Sequence, residues 1–403
     1  MKSYLIESLA PLVFRSGKPF GSVMSAQDMI FPLPSAGAGL IRYMGITQSK
    51  LPQVHNDLRN TKVDIALQDV EYQCVLATKS YGVYLAKYRS ADDVKLYAPK
   101  PANSLYVEND EGEIDLIRLS PLAIEETCGS DLPTHLLYVQ TVDKDGKPQV
   151  IKGKPKSGVN YWLLEDVVKW QKGDDLSYEQ ISKNGIASIP TEIRTHVAID
   201  DESLGSQAGK LFQTASYDLG YKLNESQNIA ERSFDDERLG FVVLSEQDLA
   251  DDLATFGGER RLSHFKSVST SLSAENNQTL LDGINKQHGF SLTFITPCIF
   301  AQGYLPAWID KDSMTGTLPN SQVKVRLKAV ASERWQAVSG WDSLLWQPKA
   351  MRKAVSAGSV YWFELIDEMD LATLQRLQQP LADDGYDQND GFGMAIVAPH
   401  SFN

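Results

Sequence analysis

"SYLIESLAPLVFRSGKPFG", Ser3 to Gly21, runs from an apolar stretch into a corner dense in charge and glycine. The apolar part reads as a strand. The corner, Phe14–Gly21, packs two cations, two aromatics and two glycines into eight residues. A second glycine cluster follows in "FPLPSAGAGLIRYMG", Phe31 to Gly45, whose Pro-Ser start and small first turn predict a helix entered through Ser35. Strand, glycine corner, helix is the order on which the rest of the chain is read.

Working outward, the chain mixes short strands with few helices. "QDVEYQCVLATKSYGVYLAKY", residues 68–88, is rich in Val, Tyr and Thr, as strands are. "SLYVENDEGEIDLIRLSP" from Ser104 reads as a hairpin bent at Glu111-Gly112, and "HLLYVQTVDKDGKPQVIKG" from His135 as a second, turning at Asp145-Gly146. In "GVNYWLLEDVVKWQKG" the residues Leu163, Val167 and Trp170 share a helical face. Residues 95–190 therefore read as material inserted into a simpler core. Later come four strand candidates (from Arg238, Gly289, Ser321 and Ser356) and a helix carrying Leu371, Leu374 and Leu377. Mixing without strict strand–helix alternation predicts an α+β class.

Composition narrows the function. Net charge is −13, which disfavours a protein that coats nucleic acid over its whole surface. The charge is uneven, however. Residues 1–50 hold five cations against two acids, and residues 321–360 hold seven against two. Residues 361–403 hold only Arg376 against eight acids. A local basic groove on an acidic body can bind phosphate while limiting non-specific contacts. The apolar start is short and broken by Glu7, and no apolar run approaches the roughly 18 residues of a membrane span, so the expectation is a cytoplasmic protein with no membrane partner. Three scattered cysteines fit reduced thiols, and no C-x-x-C or H-E-x-x-H spacing exists; no metal or cofactor is expected.

Several enzyme motifs fail on inspection. "GSQAGKLF" has Leu211 where a phosphate-binding loop needs Ser or Thr for magnesium, and "DQNDG" lacks the first and last ligands of a calcium loop. Of six histidines, His196 and His264 lie near arginines and could serve as a general base in RNA cleavage, or simply hydrogen-bond at the surface. The glycines say more. "GKPFG", "SAGAG", "FGGERR" and "GFGMA" each set glycine beside cations, aromatics or small residues. Glycine lets successive N–H groups approach one phosphate, arginine adds a charged contact, and an aromatic ring can stack on an unpaired base. A turn explains each cluster singly.

Read together, these segments resemble one family. "LAPLVFRSGKPFG" with "FPLPSAGAGLIR" is similar to the N-terminus of RAMP-superfamily CRISPR proteins, specifically subunit three of the type III-B Cmr effector complex. "LYAPKPANSLYV", "YWLLEDVVKWQKG", "EIRTHVAIDDESLGSQAGKLFQTASYDL", "FGGERR", "QPKAMRKAVSAGSVYWFEL" and "GYDQNDGFGMAIV" resemble its later motifs, in the family's order. Two positions depart from it: Ser16 stands where an acid is common, and Ala102-Asn103 replaces an aspartate signature. The resemblance implies two ferredoxin-like (RRM-like) domains with insertions, divided as residues 1–235 and 236–403. It implies a subunit without a catalytic role that holds the 5′ tag of the CRISPR RNA. Its partners would be the large polymerase-like subunit and the backbone RAMP subunit.

Tag binding is expected to use Arg15, Lys18, Gly37, Gly39, Arg42, Arg194, Gly257, Gly258, Arg260, Arg261, Lys349, Arg352, Lys353, Gly391 and Gly393. Phe20 is expected to pack under the corner rather than stack on a base. The competing readings are an endoribonuclease that processes precursor RNA through His196 or His264, a pure protein scaffold, and the equivalent type III-A subunit.

Overall fold

The computed structural model describes residues 1–15, 29–51, 69–123, 129–133, 135–143, 146–220, 237–272, 277–342 and 347–402. The fold is mixed α and β, dominated by antiparallel sheets, with seven α-helices among the described residues. None of these helices is long and apolar enough to cross a membrane. Contacts divide the chain into two compact units.

The first unit comprises residues 1–95, 189–270 and 337–352. The apolar stretch at the N-terminus is the strand Lys2–Ser8, with Tyr4, Leu5 and Ile6 buried. It pairs antiparallel with Arg238–Ser245 on one side and Leu262–Val268 on the other, and Arg238–Ser245 pairs in turn with Ser80–Tyr88. Numbered along the chain, these four strands lie in the order fourth, first, third, second. Asp252–Thr255 extends the sheet beyond the fourth.

Glu7, which interrupts the apolar run, is held by cations from both flanking strands, Lys266 and Arg238, and accepts from the Tyr88 hydroxyl at 3.1 Å. Burial pushes the Glu7 carboxyl up, but these partners together hold it below its ordinary value.

The crossover from first to second strand carries the helix Pro34–Gln48. It starts one residue before Ser35, with Pro34 in its first turn, where a missing N–H is harmless. Its buried face includes Gly37, Ala38, Ile41 and Met44. At Gly37 an added Cβ would lie 2.6 Å from Val83 Cγ2, so the helix sits on the sheet at glycine distance. Gly39 has nothing within 4 Å of such a Cβ. Gly37→Ala is therefore expected to lower unfolding stability by about 1–3 kcal/mol through overpacking. Gly39→Ala should raise it by up to about 1 kcal/mol through helix propensity. Denaturant unfolding of the two variants checks both.

No helix fills the crossover from third to fourth strand, Ser245 to Leu262. The expected domain break at 235/236 also gives way to a different division. Arg238–Ser245 is hydrogen-bonded between Lys2–Ser8 and Ser80–Tyr88, so a break there would cut both ladders.

The second unit comprises residues 96–188, 271–336 and 353–403. Its sheet orders Lys324–Ala331, Val360–Leu365, Gly289–Phe294 and Ala395–Pro399 as second, third, first and fourth, the same order read from the other edge. Here the first crossover holds no helix, and the second holds Leu371–Leu377 and Gly385–Asp390.

The stretch expected as an insertion forms both the Ser104–Glu108/Ile114–Leu122 hairpin and the helix Leu164–Gln171, with Val167 and Trp170 buried as their spacing predicts. Leu137 and Val139 pack on a buried cluster of Ala329, Ala331, Val360 and Trp362, which is why this stretch groups with the second unit.

His400, next to Trp362 and Phe402, is pushed down to about 4 by burial and, secondarily, by Arg118. Its folded value lies below its unfolded one, so unfolding takes up a proton on acidification. Stability should then fall between pH 6.5 and about 4, by up to roughly 3 kcal/mol. Urea unfolding across that range should show the slope, and His400→Gln should remove it.

Candidate functional site

The site is built where the first strand ends. Leu12 bridges to Tyr217 and Val13 to Gly258, with the Gly258 N–H donating to the Val13 carbonyl at 2.8 Å. Phe14 is buried edge-on against Phe256 and Phe241, at 5.0 and 6.0 Å between ring centres. With Phe14 anchored inward, Arg15 emerges, and its Nη2 reaches Glu259 Oε1 at 3.0 Å. Lys18, Phe20 and the two corner glycines lie outside the described residues.

Across from Arg15 runs the turn from Phe256 to Arg261. Gly257 takes φ +79°, and a Cβ there would meet the Val13 carbonyl at 2.6 Å, so only glycine fits. Glu259 and Arg260 follow at φ 60° and 51°, a left-handed pair that costs non-glycine residues about 1–2 kcal/mol each. The third wall is the early helix, where Ser35, Ala36, Gly39, Leu40 and Tyr43 recur at helical spacing. The fourth is Ser339–Trp341 with Lys349, whose N–H donates to the Gly340 carbonyl at 2.8 Å.

These walls enclose a cavity of about 550 Å³ within the first unit. Small residues line much of it, Tyr43 and Trp341 are partly exposed beside it, and Arg15 and Lys349 supply positive charge. Such a cavity can take a flat ring against an aromatic face and a phosphate against a cation.

Of the residues expected from sequence, Arg15, Gly39, Gly257, Gly258 and Lys349 line this cavity. Arg261 stands behind it, paired through Nη2 to Glu259 Oε2 at 2.8 Å. Arg194 lies on the exposed hairpin of Thr191–Ile199 with Ser206–Tyr217, paired to Glu192 at 2.9 Å, and that pairing raises its pKa. Arg260 is exposed outside the cavity lining.

The others sit elsewhere. Gly37 is spent on packing against the sheet. Arg42 donates to the Thr78 carbonyl at 3.3 Å, just past the helix Val70–Leu76, where a cation complements the helix end. Arg352 is exposed outside the lining, and Lys353 belongs to the second unit, 5.1 Å from the Trp335 ring centre.

The closing glycines correct the expectation most sharply. Gly391 and Gly393 are buried in the second unit, and their N–H groups donate to the Gln388 and Pro297 carbonyls. Gly391 ends the helix Gly385–Asp390 in the left-handed conformation favoured there. Neither N–H has a proton left to offer an external phosphate.

Sequence reasoning missed Tyr43, Trp341 and Glu259. A signal existed for two of them: Tyr43 lies one helical turn beyond Gly39, and Trp341 sits inside the basic 321–360 stretch. His196 shares a 2.8 Å hydrogen bond with Thr214 Oγ1 and stacks on Phe212; His264 lies mid-strand in Leu262–Val268. Neither lines the cavity. No cluster of three metal-ligating side chains occurs among the described residues.

A family model describing a CRISPR-associated protein matches residues 4–399, almost the whole length. The chain belongs to that family, Cas_Cmr3. Among solved structures, a chain of the cryo-EM structure of the Type III-B Cmr-beta bound to cognate target RNA is 14% identical. The match covers 97% of this chain and 95% of that one, with a TM-score of 0.46. A chain of the same complex with target RNA and AMPPnP is 15% identical over 90% and 86%, with a TM-score of 0.43. A search of curated proteins finds no match.

Proposed function

We propose that this member of the Cas_Cmr3 family is a non-catalytic, RNA-binding subunit of a type III-B Cmr effector. It holds the 5′ tag of the CRISPR RNA and bridges the large polymerase-like subunit to the backbone RAMP subunits. One observation carries the RNA reading: the cavity of the first unit joins Arg15 and Lys349 with the partly exposed rings of Tyr43 and Trp341. Cation plus stacking surface is what an unpaired, splayed RNA strand requires. The acidic remainder leaves other faces to protein partners. We further read each unit as a ferredoxin-like domain that has lost one helix, a reading supported by the shared strand order.

The test is retention of tagged CRISPR RNA by the purified chain, against the same RNA lacking its 5′ tag. Tagged RNA should bind more tightly, and binding should weaken steeply with salt. Equal retention of both RNAs would sink the tag assignment.

A further inference from the structure

The cavity has one feature that a phosphate site does not need. Glu259 is the single carboxylate among the described residues that line it. Phosphate oxygens would be repelled by it. Yet the structure holds this side chain in place with some care. Arg15 donates to Oε1 at 3.0 Å and Arg261 to Oε2 at 2.8 Å, one arginine per oxygen. The backbone beneath is tied by the Gly258 N–H to the Val13 carbonyl, and Phe256 N–H donates to the Arg261 carbonyl at 3.2 Å. A carboxylate oxygen can accept two hydrogen bonds, so both retain acceptor capacity beyond their arginine. The carboxylate side chain remains 38% exposed.

We infer that Glu259 is a base-reading residue of this site, selecting guanine in the bound single strand. This rests on the RNA reading above. A carboxylate presents two parallel acceptors. Guanine alone among the four RNA bases presents two adjacent donors on its Watson–Crick edge, N1–H and N2–H. Adenine and cytosine offer one exocyclic amino group beside a ring acceptor, and uracil flanks its single N–H with two carbonyls that the carboxylate repels. Tyr43 and Trp341 supply faces for stacking such a base. Arg15 and Arg261 both orient the carboxylate and offset its charge, so that it sits beside a phosphate backbone without expelling it.

The experiment uses the full chain and fluorescent uridine nonamers in which every third residue is guanosine, inosine or adenosine. Inosine keeps N1–H and lacks only the N2 amino group. The guanosine oligomer should bind about tenfold more tightly than either of the others, the scale of one lost hydrogen bond to a charged group. Glu259→Gln and Glu259→Asp should both bring that ratio near one. The aspartate keeps the charge but withdraws the acceptors by one methylene, so it separates reading from charge balance.

If Glu259 merely offsets the arginines, Glu259→Gln will tighten all three oligomers alike and the aspartate variant will behave as wild type. That result, or equal wild-type binding of guanosine and inosine oligomers with the salt dependence intact, overturns the inference and leaves the RNA reading standing. Absence of salt-dependent binding to any oligomer overturns both.

Discussion

Reversing Arg15 and Lys349 together, to glutamate, is expected to weaken binding of tagged CRISPR RNA by about a hundredfold. Each is a cation on the wall of one cavity, and a charge-assisted contact to phosphate contributes about 1.5 kcal/mol or more. Two such contacts account for roughly 3 kcal/mol, and the introduced negative charges add repulsion. The dependence of log affinity on log salt should flatten by about 1.4, near 0.7 for each single-strand phosphate no longer neutralised. Reversing Arg42 and Lys353 instead should change affinity little, because neither lines the cavity. Filter binding or anisotropy at several salt concentrations reads both quantities. Full retention of affinity by the Arg15/Lys349 double variant would place the RNA elsewhere.

The second large effect concerns the closing Gly-Phe-Gly. Gly393→Ala should lower unfolding stability by about 2–5 kcal/mol while leaving RNA affinity of the folded protein unchanged. Gly393 sits at φ +84°, where a side chain costs about 1–2 kcal/mol. Its Cβ would also stand 2.7 Å from Cys298 Sγ and 2.8 Å from the Ala382 nitrogen. Cys298 is fully buried and Ala382 is backbone, so neither yields without moving the second unit's core, which adds about 1–3 kcal/mol. Equilibrium unfolding gives the first quantity, and binding well below the unfolding temperature gives the second. A variant that stayed stable but lost RNA would return this loop to the RNA site.

The candidate site was half legible. Arg15, Gly39, Gly257, Gly258 and Lys349 follow from glycines set beside cations, because a turn that needs left-handed backbone or close approach writes glycine into the sequence. Gly37 and Gly39 show the limit. They are two residues apart in one glycine-alanine run, yet the helix turns one onto Val83 and the other toward the cavity. Glu259 carries no such mark, because an acid in a run of residues argues against phosphate. Its meaning comes from two arginines brought to its two oxygens, one of them 244 residues away.

Local chemistry, then, was the province of sequence: the first strand, the helix entered beside Ser35, the hairpin at Gly112, the helix face of Val167 and Trp170, and the family that the ordered motifs define. Each depends on the nature of adjacent residues, on period or on a turn's demand for glycine. Which strands pair, and therefore which glycines face inward, belonged to tertiary structure alone. Arg238–Ser245 joins the first sheet because a ladder needs only edge-to-edge backbone and an apolar face to bury, with no regard for distance along the chain. The same indifference brings residues 96–188 to the second unit and assembles the cavity from four separate segments, a juxtaposition that no single stretch encodes.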